Sequence, residues 1–318
     1  MSSRLSKLIR NENMKIYRRS RTWIMIGILL LAVGLLSGIM KWDESRIDHS
    51  NWEQQLEQQN LHMKQELTDN PDSGEEYSSY LTKQIKMNDY YLEHDINPQQ
   101  LSLWSYVSQS SNLIMLVTIL TVVIAADMIA AEFSWGTIKL LLVGPASRSK
   151  IMISKYIATL GFAVMLLLLC FAASFAAGGI LAGFDGLNQP LLTVSNGMVH
   201  ESSMIIDTLQ TYGFSVVSLI MYVTMAFMIS SAFRSSSMAI AFSLLFMLLG
   251  NTLSALLSQY SWSKYLLFSN IDLTRYLDSG TPLRPEMTMT FSILILVAYY
   301  VVFQFIAWLL FTKRDVAA

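Results

Sequence analysis

Six long apolar runs constrain what this chain can fold into. They occupy residues 23–40, 111–131, 151–181, 212–233, 238–257 and 289–311. At a rise of about 1.5 Å per residue, roughly 17–25 apolar residues in a helix cross about 30 Å of hydrocarbon. Lipid leaves backbone N–H and C=O groups without partners, so such runs must be helical, and uninterrupted apolarity excludes the alternating strands of a membrane barrel. We therefore expect an all-α membrane protein with six transmembrane helices.

Composition agrees with lipid as the main solvent. The chain is 53% hydrophobic and 14% charged, whereas soluble domains carry roughly 25% charged residues. Its net charge of −1 argues against nucleic-acid binding, which normally needs a basic excess. The single cysteine, Cys170, lies in an apolar run and is expected to serve packing.

The first apolar run follows a basic N-terminus and resembles a signal peptide. It is longer than the usual apolar core of about 7–15 residues, and no small-x-small cleavage site follows it. We therefore expect residues 23–40 to be retained as transmembrane helix 1.

Charge is distributed unequally between alternate loops. One side carries 14 basic and 4 acidic residues, the other 8 basic and 19 acidic residues. The positive-inside rule makes the basic side cytoplasmic. We expect a multi-pass protein of a bacterial plasma membrane with both termini in the cytoplasm.

The polar region at residues 41–107 lies on the acidic side. Trp52 and Leu56 belong to one apolar helical face, and Leu81 and Ile85 belong to a second. The sequence PDSG separates the two. This pattern predicts an extracytoplasmic helical hairpin. Because its apolar faces are small, we expect it to rest on other outer segments, which lie at residues 183–211 and 258–288.

The chain lacks the usual enzymatic motifs. HExxH, CxxC and GxSxG do not occur, and the histidines at 49, 62, 94 and 200 lack metal-ligand spacing. A phosphate-binding GxxxxGK[ST] loop is also missing. We expect no catalytic residues, no metal and no cofactor, so any ATP-driven work requires another polypeptide.

Residues 1–22 have the pattern of a cytoplasmic amphipathic helix. Apolar side chains recur at helical spacing while basic residues fill most of the remaining surface; the apolar set is Leu5, Leu8, Ile9 and Ile16. Two roles remain open, a basic anchor on anionic lipid and a docking surface for a cytoplasmic partner.

The segment that follows the second apolar run, residues 132–150, combines aromatic residues with charges. It contains Phe133, Trp135 and Ile138 beside Glu132, followed by a Gly-Pro turn and a basic stretch. A short amphipathic helix on the membrane surface fits this pattern. Its aromatic residues suit either a contact with a partner protein or an ordinary aromatic belt.

The sequence E-F-S-W-G-T-I-K-L-L-L-x-x-P-x-S-R-x-x-I-x-x-S-K, which starts at Glu132 and ends at Lys155, resembles the coupling region of type-2 ABC exporter permeases. The basic N-terminal helix, the six spans and the large first outer loop extend the resemblance over the whole chain. The resemblance implies a coupling helix that seats in a groove of the ATPase subunit, with the N-terminal helix beside it. The contacts it implies are Glu132, Phe133, Trp135, Gly136, Thr137, Ile138 and Leu142, with Pro145 and Arg148 fixing the return to span three. Lys155 matches the family's basic residue at the start of that span.

The resemblance also implies the partners and the mechanism. A separate nucleotide-binding ATPase subunit would bind ATP and Mg, and six helices would form half of the pathway in a homodimer or in a heterodimer with a second permease. Closure of the ATPase pair would then rock the two halves between two states. A hydrophobic peptide, an antibiotic, a lipid-linked compound or an ion would all suit such a pathway. The alternative is a membrane sensor or immunity protein that binds an extracellular ligand without transport.

Three polar residues within the spans, Asp127, Asn251 and Gln304, are candidates for pathway or interhelix contacts. Asp127 lies about one helical turn from Glu132, which favours the membrane edge over a substrate or proton site. For Asn251 and Gln304, hydrogen bonds between helices are the favoured role.

Overall fold

A computed structural model of the chain describes residues 2–47, 49–70, 74–138, 146–184, 189–195, 197–277 and 280–313. These residues form eleven α-helices: α1 Ser2–Tyr17, α2 Ser20–Glu44, α3 Trp52–Asp69, α4 Glu75–Glu93, α5 Leu103–Gln109, α6 Ile114–Ser134, α7 Arg148–Leu181, α8 Met204–Ala232, α9 Ser236–Leu256, α10 Leu267–Asn270 and α11 Met289–Lys313. Strands β1 (Pro190–Ser195) and β2 (Met198–Ser203) form a two-stranded sheet, and short 3₁₀ helices cover His49–Asn51, Ser110–Leu113, Ser261–Tyr265 and Leu273–Tyr276.

Six helical stretches of the described chain are long and apolar enough to cross a membrane. They are Ser20–Glu44, Leu103–Ser134, Arg148–Leu181, Met204–Ala232, Ser236–Leu256 and Met289–Lys313. The prediction of a helical membrane protein with six spans is therefore confirmed at this level. The second stretch starts earlier than its apolar run, because Ser102 caps α5 by accepting a hydrogen bond from the Ser105 N–H.

Contacts divide the chain into two compact units. Unit 1 comprises Met1–Ala32, Asn112–Ala172 and Gln210–Ala318, and unit 2 comprises Val33–Ser111 and Ala173–Leu209.

The core of unit 1 surrounds α6, which packs against α9. Ala125, Ala126 and Ala130 are fully buried, and small side chains of this kind let helix backbones approach closely. The Ser230 hydroxyl of α8 accepts hydrogen bonds from the Ile129 and Ala130 N–H groups at 3.0 Å. One face of α6 is thus held by apolar packing and by a polar contact with α8.

The core of unit 2 lies between α3 and α4. Trp52 and Leu56 of α3 are buried, as are Leu81 and Ile85 of α4. The Asn60 side chain, also buried, donates a hydrogen bond of 2.7 Å to Asp89. The helices thus pair through apolar contacts and through polar contacts that include this bridge.

The β1–β2 hairpin departs from the all-α prediction. Its strands pair antiparallel from Pro190–Ser203 to Ser195–Met198, and Gly197 in the turn has φ +78°. Contacts with α4 support the hairpin, because Lys86 Nζ donates to the Gly197 carbonyl at 2.6 Å and the Tyr90 hydroxyl donates to Glu201 at 2.9 Å. Strands this short depend on tertiary support, which is why sequence patterns did not indicate them.

Candidate functional site

Helix α1 presents two different faces in unit 1. Ile16 is buried and Leu5, Leu8 and Ile9 are half-buried, whereas the cationic side chains of Lys7, Arg10 and Arg18 are exposed. The apolar residues identified by helical spacing thus lie on the covered side of the helix, where side chains are less exposed than the basic ones. Glu12, for which the sequence pattern predicted no role, lies on the covered side and is 5% exposed.

A buried lysine joins three helices. Lys155 of α7 is 1% exposed, and its Nζ lies 2.8 Å from Glu12 Oε2 of α1 and 2.8 Å from Glu132 Oε1 of α6. A buried ammonium ion is strongly unfavourable unless it is paired and hydrogen-bonded. The two carboxylates therefore hold Lys155, and Lys155 holds the helices that carry them.

Lys15 completes a four-residue ion network that consists of Glu12, Lys15, Glu132 and Lys155. Its Nζ lies 2.8 Å from Glu12 Oε1 and 3.2 Å from Glu132 Oε1. Burial by itself lowers the pKa of Lys15, but the hydrogen bonds and charges of Glu12 and Glu132 outweigh it and raise the pKa above its usual value. With two positive and two negative groups, the network is electrically balanced.

A second ion cluster surrounds Asp127, which is 2% exposed. Its Oδ2 accepts hydrogen bonds from Arg19 at 2.6 Å and from Arg21, and the Ser236 hydroxyl donates to Oδ1. The Asp127 cluster therefore ties the α1–α2 junction to α6 and to the start of α9. The sequence placed Asp127 near Glu132 but did not indicate its burial or its arginine partners.

The chain turns directly after α6. Gly136 has φ +70°, a left-handed conformation that glycine adopts without strain. The Thr137 hydroxyl reaches back to Glu132 Oε2 at 2.5 Å, and Ile138 is only 4% exposed. Glu132, Gly136, Thr137 and Ile138 thus form one folded turn, which shares Glu132 with the ion network.

Aromatic surface lies next to this turn. The Trp135 side chain is 61% exposed, and the Arg19 guanidinium carbon lies 4.6 Å from its ring centroid. Phe133 at the end of α6 is half-buried. Trp135 is therefore oriented by a cation–π contact while most of its surface stays accessible.

Several other predicted residues lie apart from this turn. Leu142 and Pro145 fall within residues 139–145, outside the described part of the chain, so the predicted coupling helix is described only at its two ends. Arg148, at the start of α7, donates a hydrogen bond of 2.8 Å to the Thr312 carbonyl near the end of α11.

The remaining polar candidates contact other helices. Asn251 of α9 donates to the Tyr222 hydroxyl of α8 at 3.1 Å. Gln304 of α11 is half-buried and interacts with the Tyr156 hydroxyl of α7. Both residues therefore make interhelix contacts within unit 1.

The described residues include no group of three or more His, Cys, Asp or Glu side chains that could hold a metal ion.

The two ion clusters fix α1 and the turn after α6 to α7 and α9. A clue to Glu12 was present in the sequence, since it is the single acid among seven basic residues in the first 23.

Comparison with known proteins places the chain in a family. It is 41% identical to the uncharacterized protein YhcI of Bacillus subtilis (strain 168) over 314 residues, which is 98% of this chain and 99% of that protein. It is 33% identical to the uncharacterized membrane protein YdbK of the same organism over 213 residues, which is 66% of this chain and 82% of that protein. The model of the family described as "Protein of unknown function (DUF2705)" matches residues 77–317. The chain therefore belongs to the DUF2705 family.

Proposed function

We propose that this chain is the permease subunit of an ATP-driven ABC exporter, forms half of the transmembrane pathway and couples to a separate ATPase subunit. The observation that carries the proposal is the bridge from Lys155 to Glu12 and Glu132. This bridge links the N-terminal helix, the turn after α6 and the start of α7, which are the elements that must move together if a partner pulls on the turn.

The geometry supports a mechanical role for the turn. An exposed Trp135 offers a large contact area of the kind that dominates protein interfaces. Glu132 and Ile138 on the same turn are buried, so a displacement of Trp135 is passed to α6 and α7 rather than absorbed by a loose loop. Rigid-body movement of helices is a common way to alternate between two states.

The distribution of charge supports the orientation. By the positive-inside rule, the side that holds α1 and the turn faces the cytoplasm of a bacterial cell, where an ATPase subunit and its ATP and Mg would be available. A second six-helix permease, identical or different, would complete the pathway.

The chain offers a matched pair of tryptophans to test this function. Trp135 lies near Arg19, and Trp42 is similarly exposed at 57% with the Arg46 guanidinium carbon 3.7 Å from its ring centroid. Tagged full-length chain is purified from its native membranes in mild detergent, and the vanadate-sensitive ATPase activity that co-purifies is measured for wild type, Trp135→Ala and Trp42→Ala.

We expect wild type and Trp42→Ala to retain ATPase activity and Trp135→Ala to lose it by about thirtyfold, because removing a central aromatic anchor costs about 2 kcal/mol or more. Two results contradict the proposal: no ATPase activity with wild type, or equal activity with the two variants.

The membrane sensor or immunity protein remains the second candidate, because unit 2 has its own core and its own polar bridge. A sensor that works without transport needs no ATPase. Absence of ATPase activity from the wild-type preparation would therefore favour this candidate.

A further inference from the structure

Unit 1 contains an apolar cavity of about 450 Å³ between α8, α9 and α11. Its lining includes Met225, Phe246, Leu249, Leu253, Leu267 and Phe303. The volume lies in the range of about 300–1,000 Å³ typical of ligand sites. The cavity lies among helices that are long and apolar enough to cross a membrane.

Helices α10 and α9 contact each other directly in the lining of the cavity. A Cβ atom added to Gly250 would lie 2.3 Å from the Phe268 ring, so the ring rests on the α9 backbone where only glycine leaves room. Gly250 and Phe268 both line the cavity. Its shape therefore depends on a specific close approach rather than on loose packing.

The lining contains two hydroxyl groups. The Tyr299 hydroxyl donates to the Tyr265 carbonyl at 3.1 Å. Ser254, by contrast, is 3% exposed, and its Oγ has no hydrogen-bond partner among the described residues. A buried hydroxyl left unpaired is unfavourable, so Ser254 marks a position where a bound molecule would supply an acceptor.

The depth of Ser254 indicates what that molecule is. Helix α9 has 21 residues, which span about 30 Å and match the hydrocarbon thickness. Ser254 lies two residues, or about 3 Å, before the end of α9. Leu245 lies nine residues deeper, about 14 Å along the helix axis. A polar group at the membrane boundary followed by an apolar chain running inward matches these positions.

The cavity also opens on the outer surface of the helices. Leu245, Phe246, Leu249 and Leu253 line it and are all about half exposed. An acyl chain that lies against this exposed surface can enter the cavity from the side.

We propose that the cavity binds one acyl chain of a bilayer glycerolipid, with the ester carbonyl of the lipid accepting a hydrogen bond from Ser254. The site does not depend on the ATPase partner proposed above, so a negative ATPase result leaves it standing. Its recognition elements are an apolar slot and one hydroxyl, which select a chain and an ester rather than a particular headgroup.

The test uses full-length protein in nanodiscs that contain phosphatidylglycerol with a photoreactive diazirine in one acyl chain. Peptide mass spectrometry locates the labelled residues after illumination. Leu249→Trp fills the cavity. Leu248→Trp is the matched control. Leu248 is exposed to the same extent as Leu249, 48% against 47%, but it does not line the cavity. Monodisperse elution on size exclusion verifies that both variants fold.

In wild type and in Leu248→Trp we expect the label to concentrate on the cavity-lining residues of α8 and α9. In Leu249→Trp we expect most of the label on these residues to be lost. An ether-linked analogue, which lacks the ester carbonyl, should label wild type about threefold less than the ester lipid, as expected for one net hydrogen bond. Ser254→Ala should abolish that preference.

Three results would overturn the proposal. One is equal labelling of the two tryptophan variants, and another is equal labelling of wild type by ester and ether lipids. The third, measured separately, is a disulfide formed under an added oxidant between two copies of a Leu249→Cys variant in lipid-replete nanodiscs, which would assign this surface to a dimer contact instead.

Discussion

Lys155 Nζ lies 2.8 Å from Glu132 Oε1, at the point where α6 ends and the chain turns toward α7. The same ammonium group lies 2.8 Å from Glu12 of the N-terminal helix. Because Lys155 is almost completely buried, its charge is compensated by these carboxylates rather than by water. The N-terminal helix is thus an integral part of unit 1.

Removal of the buried cation should destabilise unit 1. Lys155→Met leaves Glu12 and Glu132 with Lys15 as their remaining cation, and breaking a buried ion pair in this way costs about 3 kcal/mol. Thermal unfolding of the purified chain in detergent measures the change.

The control for this variant is Lys41→Met. Lys41 pairs with Glu44 at 2.9 Å but is 46% exposed, so its loss should cost less than about 1 kcal/mol. Adding Glu132→Gln to Lys155→Met should recover part of the lost stability, since the pair is coupled. Equal melting temperatures for Lys155→Met and Lys41→Met would refute a structural role for the network.

Asp127→Asn should release the N-terminal helix. The substitution removes the negative charge that Arg19 and Arg21 share and leaves two cations facing a neutral amide. We expect trypsin to cleave at Lys7 and Arg10 of α1 about tenfold faster than in wild type, because local opening becomes more frequent.

Asp272→Asn is a suitable comparison, because Asp272 forms an exposed ion pair with Arg275 at 3.4 Å. It should leave the rate of cleavage in α1 unchanged. Faster cleavage in both variants to the same extent would mean that the Asp127 cluster does not hold α1.

From neutral pH upward, the contribution of Lys15 should change only in strongly alkaline solution. Its pKa is raised in the folded chain because the Glu12 and Glu132 interactions outweigh burial. A raised pKa adds stability that is complete below the unfolded value of about 10.4 and is lost as the pH rises through the folded value. The stability difference between wild type and Lys15→Gln should therefore be constant from neutral pH to about pH 10 and shrink above it.

Melting temperatures of the two proteins over this pH series provide the measurement, and groups that do not interact with Lys15 cancel in the difference. A difference that instead shrinks between pH 6 and pH 8 would rule out Lys15 as the titrating group, given its ordinary pKa of about 10.4.

Gly136→Ala should strain the turn after α6. The added Cβ meets no atom within 4 Å, so the expected cost of about 1 kcal/mol comes from the left-handed backbone alone. Gly161→Ala in α7 also meets no atom but has helical geometry, and it should stabilise the chain by up to about 1 kcal/mol. Thermal unfolding distinguishes the expected loss of stability from the expected gain. If Gly136→Ala left the stability unchanged, the turn would be free to change conformation.

The spans were predictable because each segment in lipid must satisfy its own backbone hydrogen bonds. An apolar run of sufficient length must be helical whatever its neighbours do, and the six candidate spans of the structure correspond to the six apolar runs. Boundaries were less predictable. Helix α2 has 25 residues, Ser20–Glu44, because its polar ends continue the helix beyond the apolar run.

The candidate site was predictable only in part. Motif and aromatic content indicated Glu132 and Trp135, and the structure adds that the first is buried and the second exposed. The partners of Glu12 and Arg19 were not indicated, since Glu12 stands out only by its sign in a basic stretch and local sequence does not show which distant charge either residue meets. The β1–β2 hairpin was missed for a similar reason, because α4 supports it from elsewhere in the chain.

The sequence by itself determined the number of candidate spans and the helical class of the protein. These follow from the polarity of neighbouring residues, which acts locally. Only the tertiary structure decided which charges are paired, since Glu12 and Lys155 are 143 positions apart. Their attraction becomes strong only after folding has excluded water from both side chains, a condition that no local pattern encodes.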